Sequence, residues 1–365
     1  MDKLNAVEVD KIAKRRKFTE AEGESGRYMR REDRDTKQVD SEHSSSMSLD
    51  TIYDFEKAKH TLEKIQKERT KDRKNHIQIS DIGKKKGWEA DMKVEKFFQP
   101  NCWRLIWGDG NDAPREVVFH MQGIVEGKCL PPFRKVAESK NMKKIRHTRQ
   151  WITISGLGNE AFDKDREGMM EVYALLARIA NGLGGIEFKT VNERDAVEIG
   201  NRLFTPKDEA PDMEWADIPD DVDSMGYIQW VKKNNMGLIY GEENVVRYGE
   251  EYTKYTNENG NSVGKKRTTD IIPQKIHVGD IVDIGFTIVG VEGGRSSPPK
   301  AKLLLRTITL VDSSQAQDWI KAKAKIQATV GNVRKVQTGK RDFDDDDVEG
   351  TRKRFQHLST KDDEE

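Results

Sequence analysis

The chain is poor in the residues that announce common chemistries. Only Cys102 and Cys129 represent cysteine in 365 residues, with no CxxC pair and no histidine at ligand spacing. That excludes a disulfide scaffold and a zinc module, and leaves two reduced, partly buried thiols as the expectation. The histidines stand apart at His43, His60, His76, His120, His147, His277 and His357, without an HxH, HExxH or HxxE grouping, so no metal or cofactor is expected. Apolar runs of membrane-span length are missing, as is the hydrophobic segment of a secretory signal, so a soluble intracellular protein without membrane contact is expected. Net charge is missing too. Lys plus Arg and Asp plus Glu both number 64, so any taste for nucleic acid must come from segregation of charge along the chain.

What is present is charge itself, 35% of residues against about 25% in an ordinary globular protein, so part of the chain should lie outside any core. Residues 1–49 mix both signs with few apolar side chains and read as a disordered tail. Its KRRK run at 14–17 is first a solvated segment and second a nuclear address. Within 50–75, Ile52, Phe55, Leu62 and Ile65 recur at helical spacing, with Asp50 as N-cap, and the resulting amphipathic helix has either its own domain or a protein partner to dock on. Residues 76–209 read as a mixed α/β domain: strands at 102–107, 116–125, 151–155 and 186–191, and helices at 166–180 and 193–204, the last capped by Asn192. Residues 210–226 hold Asp212, Glu214, Asp217, Asp220, Asp221 and Asp223 without a single Lys or Arg, and read as an acidic linker or loop.

Residues 227–330 read as a β-rich portion: short strands at 227–231, 237–240, 245–248 and 251–256, a polar loop at 257–268, a long hairpin, and a helix over 315–329 capped by Ser313 and Ser314. Residues 331–365 form an acidic tail, with runs at 342–347 and 362–365, that is either solubilising or a second docking point for a protein partner. The fold class is therefore α+β, a mixed domain plus an antiparallel portion of which an OB-like barrel is one form, between disordered tails.

The hairpin is the most informative stretch. Its first arm, 276–291, sets Ile276, Val278, Val282, Ile284, Phe286 and Ile288 on one face; its second, 300–311, sets Leu303, Leu305 and Val311 opposite Lys300, Lys302 and Arg306. A greasy inside and a cationic outside suit a ribbon that follows phosphates. A second basic window, 128–149, carries Lys128, Arg134, Lys135, Lys140, Lys143, Lys144, Arg146 and Arg149 against Glu138 alone, with Trp103, Trp107, Phe133 and Trp151 in or beside it. Lys265, Lys266 and Arg267 make a third basic group. Cations neutralise phosphates while aromatic faces stack on unpaired bases, so single-stranded nucleic acid is the expected ligand. Lys143, Lys144, Arg146, Lys300, Lys302 and Arg306 are the expected phosphate contacts, and Trp103, Trp107 and Trp151 the expected stacking platforms. The competing reading is a protein-interaction or assembly scaffold.

Catalysis finds little footing. Residues 155–159 lack the full GxGxxG fingerprint and read as a turn. The carboxylate pairs Asp163 with Asp165 and Asp217 with Asp220 keep a magnesium-dependent nuclease open, although such pairs arise by chance in so acidic a chain.

The stretch VGDIVDIGFTIVGV at 278–291, followed by LLLRTITLVD at 303–312, resembles the C-terminal segment of uncharacterised proteins of mushroom-forming fungi, where a VGDIV strand precedes an LRSIALLD-like strand. Thr307 and Thr309 depart from that pattern. The resemblance implies a fungal origin and a recurring strand pair, and no site residue.

Overall fold

The computed structural model describes residues 48–69, 77–84, 87–108, 114–134, 142–256, 263–293 and 297–333. Apart from residues 48–49 and 331–333, both expected tails lie outside the described residues, and so do the KRRK run and the acidic runs.

The elements, in chain order, are α1 (Phe55–Arg69), β1 (Ile77–Gln78), β2 (Met92–Phe98), β3 (Asn101–Trp107), β4 (Phe119–Cys129), α2 (Met142–Arg146), β5 (Arg149–Ser155), α3 (Glu160–Ile179), β6 (Lys189–Val191), β7 (Arg194–Arg202), β8 (Thr205–Pro206), α4 (Tyr227–Lys233), β9 (Leu238–Ile239), β10 (Arg247–Thr256), β11 (Val263–Asp270), β12 (Ile281–Val291), β13 (Lys300–Asp312) and α5 (Ser314–Val333). Met1–Trp319 cluster as one compact unit and Ile320–Glu365 as a second, whose described part is the remainder of α5.

The class is α+β, built on a large and mostly antiparallel sheet in the order β11-β10-β13-β12-β4-β5-β7-β6. Ladders between β12 and β13, β12 and β4, β4 and β5, and β5 and β7 are all antiparallel, so β4, β7 and β13 run one way and β5 and β12 the other. The far edge then curls: β7 packs back against β13, alongside the half of β13 that β10 leaves free. Five strands thus make a partly open barrel in the OB-like manner, the β12 to β13 hairpin closing it. Inside lie Met121, Val125, Ile152, Ile154, Val197, Ile199, Ile284, Phe286 and Leu305, all fully buried.

The hairpin departs from its expected one-sided pattern, because every residue from Ile281 to Gly290 is buried. One face of β12 lines the barrel. On the other, Asp283 accepts hydrogen bonds from His120 Nδ1 at 2.9 Å and Gln122 Nε2 at 3.1 Å, and Arg69 of α1 reaches it at 3.2 Å. Those donors hold the Asp283 carboxyl below its usual range despite burial, which alone would raise it. Helix α1 buries Ala58, Leu62, Ile65 and Gln66 and packs on β4, so its apolar stripe is spent on its own domain rather than left for a partner. Asp54, not Asp50, accepts the Lys57 N–H at 3.0 Å at its start. Asp50 Oδ1 instead takes the indole N–H of Trp319 at 2.9 Å.

Three segments expected in one form take another. Residues 193–204 are not a helix but strand β7, because Asn192 and Glu193 both adopt left-handed φ, +48° and +64°, and make a two-residue hairpin turn into it from β6. Residues 227–231 are not a strand but the start of α4: Tyr227, Ile228 and Val231 face inward at helical spacing, and the Asp223 carboxylate accepts the N–H groups of Ile228 and Gln229, each at 2.9 Å. The loop expected at 257–268 gives way to β11 from Val263 onward, an edge strand whose charge opposes edge-to-edge association. Residues 210–226 divide no domains, since the one sheet draws strands from both sides of them.

Two packing details have measurable consequences. Gly168 sits in the middle of α3, where a Cβ would stand 2.0 Å from the Ile79 carbonyl oxygen. Gly168→Ala should therefore destabilise the fold by about 1–3 kcal/mol, against the gain that helix propensity alone predicts; urea denaturation measures the sign. Asp280 is fully buried, accepts the His277 N–H at 2.6 Å through Oδ2, and has no partner for Oδ1 among the described residues. Burial pushes its pKa up from 3.8 to about 7, opposed by the His277 N–H and by Lys128. Between those values the folded state holds a proton that the unfolded state has lost, so this group makes stability fall as pH rises, the loss being complete above about 7. The melting temperature of Asp280→Asn, relative to the parent, should accordingly rise between pH 5 and pH 8; a constant difference would show that Asp280 does not titrate there.

Candidate nucleic-acid interface

Strand register decides which expected residues share a face. In an antiparallel pair, directly opposed residues point to the same side. Arg149 opposes Arg202, Trp151 opposes Gly200, and Thr153 opposes Glu198 across β5 and β7, so these six lie together on one face of the sheet. Their alternates Ile152, Ile154, Val197 and Ile199 fill the barrel, which makes this the outer face. Arg149, drawn from the basic window, thereby stands beside Arg202, which reading 193–204 as a helix had hidden.

Two glycines shape the surface around Trp151. A Cβ on Gly200 would stand 2.8 Å from Trp151 Cβ and 3.0 Å from Arg149 Nη2, and one on Gly127 would stand 3.5 Å from the indole ring. Without those side chains the half-exposed ring lies low across β4, β5 and β7. Its Nε1 is buried and has no hydrogen-bond partner among the described residues.

Lys300 and Lys302 of β13 are exposed and complete the cationic face. Partial desolvation, then the positive charges of Arg149, Arg202 and Lys300, lower the Lys302 pKa, while Glu209 opposes them. That coupling shows the two basic stretches meeting in space although some 150 residues separate them in sequence. Carboxylates answer part of the charge: Glu209 pairs with Arg146 at 2.9 Å and Arg202 at 2.5 Å, and Glu198 reaches Arg149 at 3.6 Å and also pairs with Lys189. Two acids thus stand among Arg146, Arg149, Lys189, Arg202, Lys300 and Lys302. Lys144 is exposed on α2, and the Lys143 side chain lies outside the described residues.

Arg306 does not belong to this surface. Its side chain is 13% exposed and grips Glu116 through Nε at 2.9 Å, Glu243 through Nη2 at 3.2 Å and the Glu243 carbonyl through Nη1 at 2.8 Å. Arg104 completes the network, reaching Glu116 at 3.0 Å and Glu243 at 2.7 Å. Burial would raise the Glu243 pKa, but Arg104 and Arg306 hold it below the usual range. With four of its five N–H donors engaged and the side chain mostly covered, this guanidinium is spent on Glu116 and Glu243 rather than held out for a phosphate, which corrects its expected role.

Trp103 and Trp107 also fall elsewhere. Trp103 opposes Gly290, which opposes Ala301, whereas Lys302 opposes Val289, which opposes Arg104, so Trp103 and Lys302 are on opposite faces. Trp107 shares the side of Trp103 by strand alternation. The Lys96 ammonium sits 4.9 Å from the Trp103 ring centre, and the Arg115 guanidinium 5.8 Å from that of Trp107. On the strand ladder β11, with Lys265, Lys266 and Arg267, is separated from β5 by four strands. Of the carboxylate pairs, Asp165 is buried while Asp163 is exposed, and Asp217 and Asp220 are both exposed. Among the described residues no three His, Cys, Asp or Glu side chains gather to hold a metal ion, and no helix is long and apolar enough to cross a membrane.

No family model and no curated protein matches the chain. Among solved structures it is similar to gp2.5, a single-stranded DNA binding protein encoded by bacteriophage T7, at 12% identity and a TM-score of 0.26 over 53% of this chain and 86% of that one. So loose a superposition leaves the surface to be read from its own residues.

Glu243 supports two guanidinium groups at once, so its loss leaves buried charge uncompensated. Glu243→Ala should cost about 3–5 kcal/mol of stability, and Arg306→Ala should lower stability while leaving the β5 and β7 face intact; chemical denaturation of each variant checks this.

Proposed function

We propose that the protein binds single-stranded nucleic acid across the outer face of β5 and β7. One observation carries the reading. Cations from residues 146–149, 202 and 300–302 gather around a half-exposed tryptophan with too few carboxylates to neutralise them. Like charges held together raise the free energy of the empty protein, and an arriving polyanion relieves that repulsion while releasing its own counterions. Trp151 supplies a π face that any base can stack on, which favours an unpaired strand over a duplex, whose bases are already stacked. Glu198 and Glu209 keep the arginines ordered in the absence of ligand, and phosphates compete with them for the same donors. The position agrees with the use OB-type barrels make of their second and third strands and of the loops joining strands one to two and four to five. Here those strands are β5 and β7, and the corresponding connections are those from β4 to β5 and from β12 to β13.

The test is a titration with short oligonucleotides, followed by tryptophan fluorescence and repeated over a range of salt. Five phosphate contacts would give a slope of log affinity against log salt of roughly −3.5, at about 0.7 per contact on a single strand. Trp151→Ala should cost about 1–3 kcal/mol of binding and remove part of the quenching, and Lys300→Ala with Lys302→Ala should flatten the salt slope. Absence of any salt-dependent binding at low ionic strength would overturn the reading.

A further inference from the structure

A concavity separate from the outer face of β5 and β7 runs along α4. It is an open groove of about 730 Å³ whose lining includes Asp217, Ile218, Gln229, Trp230, Lys232 and Lys233. That volume lies in the range of small-ligand sites. Trp230 is half-exposed and is held from behind by Tyr227, the rings nearly parallel at 22° with centres 6.2 Å apart. Lys232 and Lys233 are exposed, and neither forms an ion pair among the described residues; the Lys232 ammonium instead sits 5.2 Å over the Trp215 ring. Of the six carboxylates in the surrounding segment, that of Asp223 is occupied by the N–H groups of Ile228 and Gln229, and Asp217 lines the groove itself.

The groove also adjoins the surface already described. Tyr227, the back of the Trp230 stack, shares a 3.2 Å hydrogen bond with Thr148, whose hydroxyl also donates to the Lys144 carbonyl at the end of α2. Thr148 directly precedes Arg149, the first residue of β5. A strand lying on β5 and β7 and leaving past residues 144–148 therefore arrives at Trp230.

We infer that the α4 groove is a second nucleotide subsite, which takes a base of the same single strand against Trp230 and its phosphate against Lys232 and Lys233. Asp217 and Gln229 fix the orientation. A carboxylate repels phosphate but accepts from the amino group of a base, so the base end lies toward Asp217 and the phosphate end toward the lysines. The inference rests on the reading of the β5 and β7 face and adds a second, spatially separate contact to it.

The experiment compares an oligonucleotide of about 5 nucleotides, near the lower limit for one OB-type site, with one of about 16 nucleotides, near the upper. The parent protein is set against Lys232→Glu with Lys233→Glu, two exposed positions whose change leaves the core untouched, and against Trp230→Ala as a second variant. Binding of the shorter oligonucleotide should be unchanged in both. For the longer one, the charge reversal should weaken binding and make the salt slope shallower by about 1.4, for two lost phosphate contacts, and Trp230→Ala should lower affinity. If the parent binds both lengths and the charge reversal leaves the affinity and salt slope of the longer one unchanged, the groove is no subsite and the β5 and β7 reading stands. If the parent binds neither, that reading falls and the groove falls with it.

Discussion

Burial of β12 on both faces is the constraint on which the remaining structure depends. A strand with solvent on one side tolerates slippage, but β12 is held by β13 along one edge and by β4 and then β3 along the other, so its register fixes theirs. One face of β12 must then be apolar for the barrel. The other carries Asp283, a carboxylate that burial would protonate were it not for His120, Gln122 and Arg69. By drawing on Arg69, that carboxylate fastens α1 to the sheet. The order of strands that places Arg149, Arg202 and Lys302 on one surface is a consequence of this packing, since β4 leads to β5 and β7 on one side of β12 while β13 closes the curl from the other.

The protein holds arginines in two electrostatic regimes, and the difference separates structure from binding. Arg104 is buried and Arg306 mostly covered, and two carboxylates, Glu116 and Glu243, match them in number. Removing either side leaves charge stranded in a poorly solvated place, so the set acts as a fastener between β3, β13 and the turn that holds Glu243. On the β5 and β7 face the balance is deliberately incomplete: Glu198 and Glu209 are shared among more cations than they can neutralise, and Lys302 responds with a lowered pKa. Desolvated charges in equal number hold a fold together; solvated charges in excess of one sign create a potential that reaches toward a ligand.

Much of this was legible in the sequence, because period-two alternation survives wherever a strand has two distinct environments. The strands at 102–107 and 151–155 and the second arm of the hairpin announce themselves in that way, while the helices expected within 50–75 and at 166–180, found at Phe55–Arg69 and Glu160–Ile179, belong to the 3.6-residue period. The misread segments share a cause. Residues 194–202 carry Ala196, Val197 and Ile199 close together among charged residues, and so short an apolar run fits a helix face as readily as a strand. Losing β7 also hid Arg202, Glu198 and Gly200, and with them the setting of Trp151. Arg306 and Lys302 show the converse limit. Both looked like outward cations of one strand, but Arg306 is the β13 residue left without a partner where the register steps from Gly285 opposite Thr307 to Phe286 opposite Leu305, and Glu116 and Glu243 take up its guanidinium, while Lys302 stays in register opposite Val289. Nothing in strand periodicity marks such a bulge or the carboxylates beside it.

A neutral total charge is what such a surface needs. Were the excess of cations on the β5 and β7 face repeated over the whole molecule, attraction to polyanions would be everywhere and no single face would be favoured. With as many acids as bases in the chain, a surplus of cations on one face must be compensated by a deficit elsewhere. On the function proposed above, the contrast between faces, rather than the sum, would set where a strand lies. Trp151 adds what charge alone lacks: electrostatic attraction is as strong toward a duplex as toward an unpaired strand, whereas a flat ring kept accessible by Gly127 and Gly200 rewards only a base free to leave its neighbours.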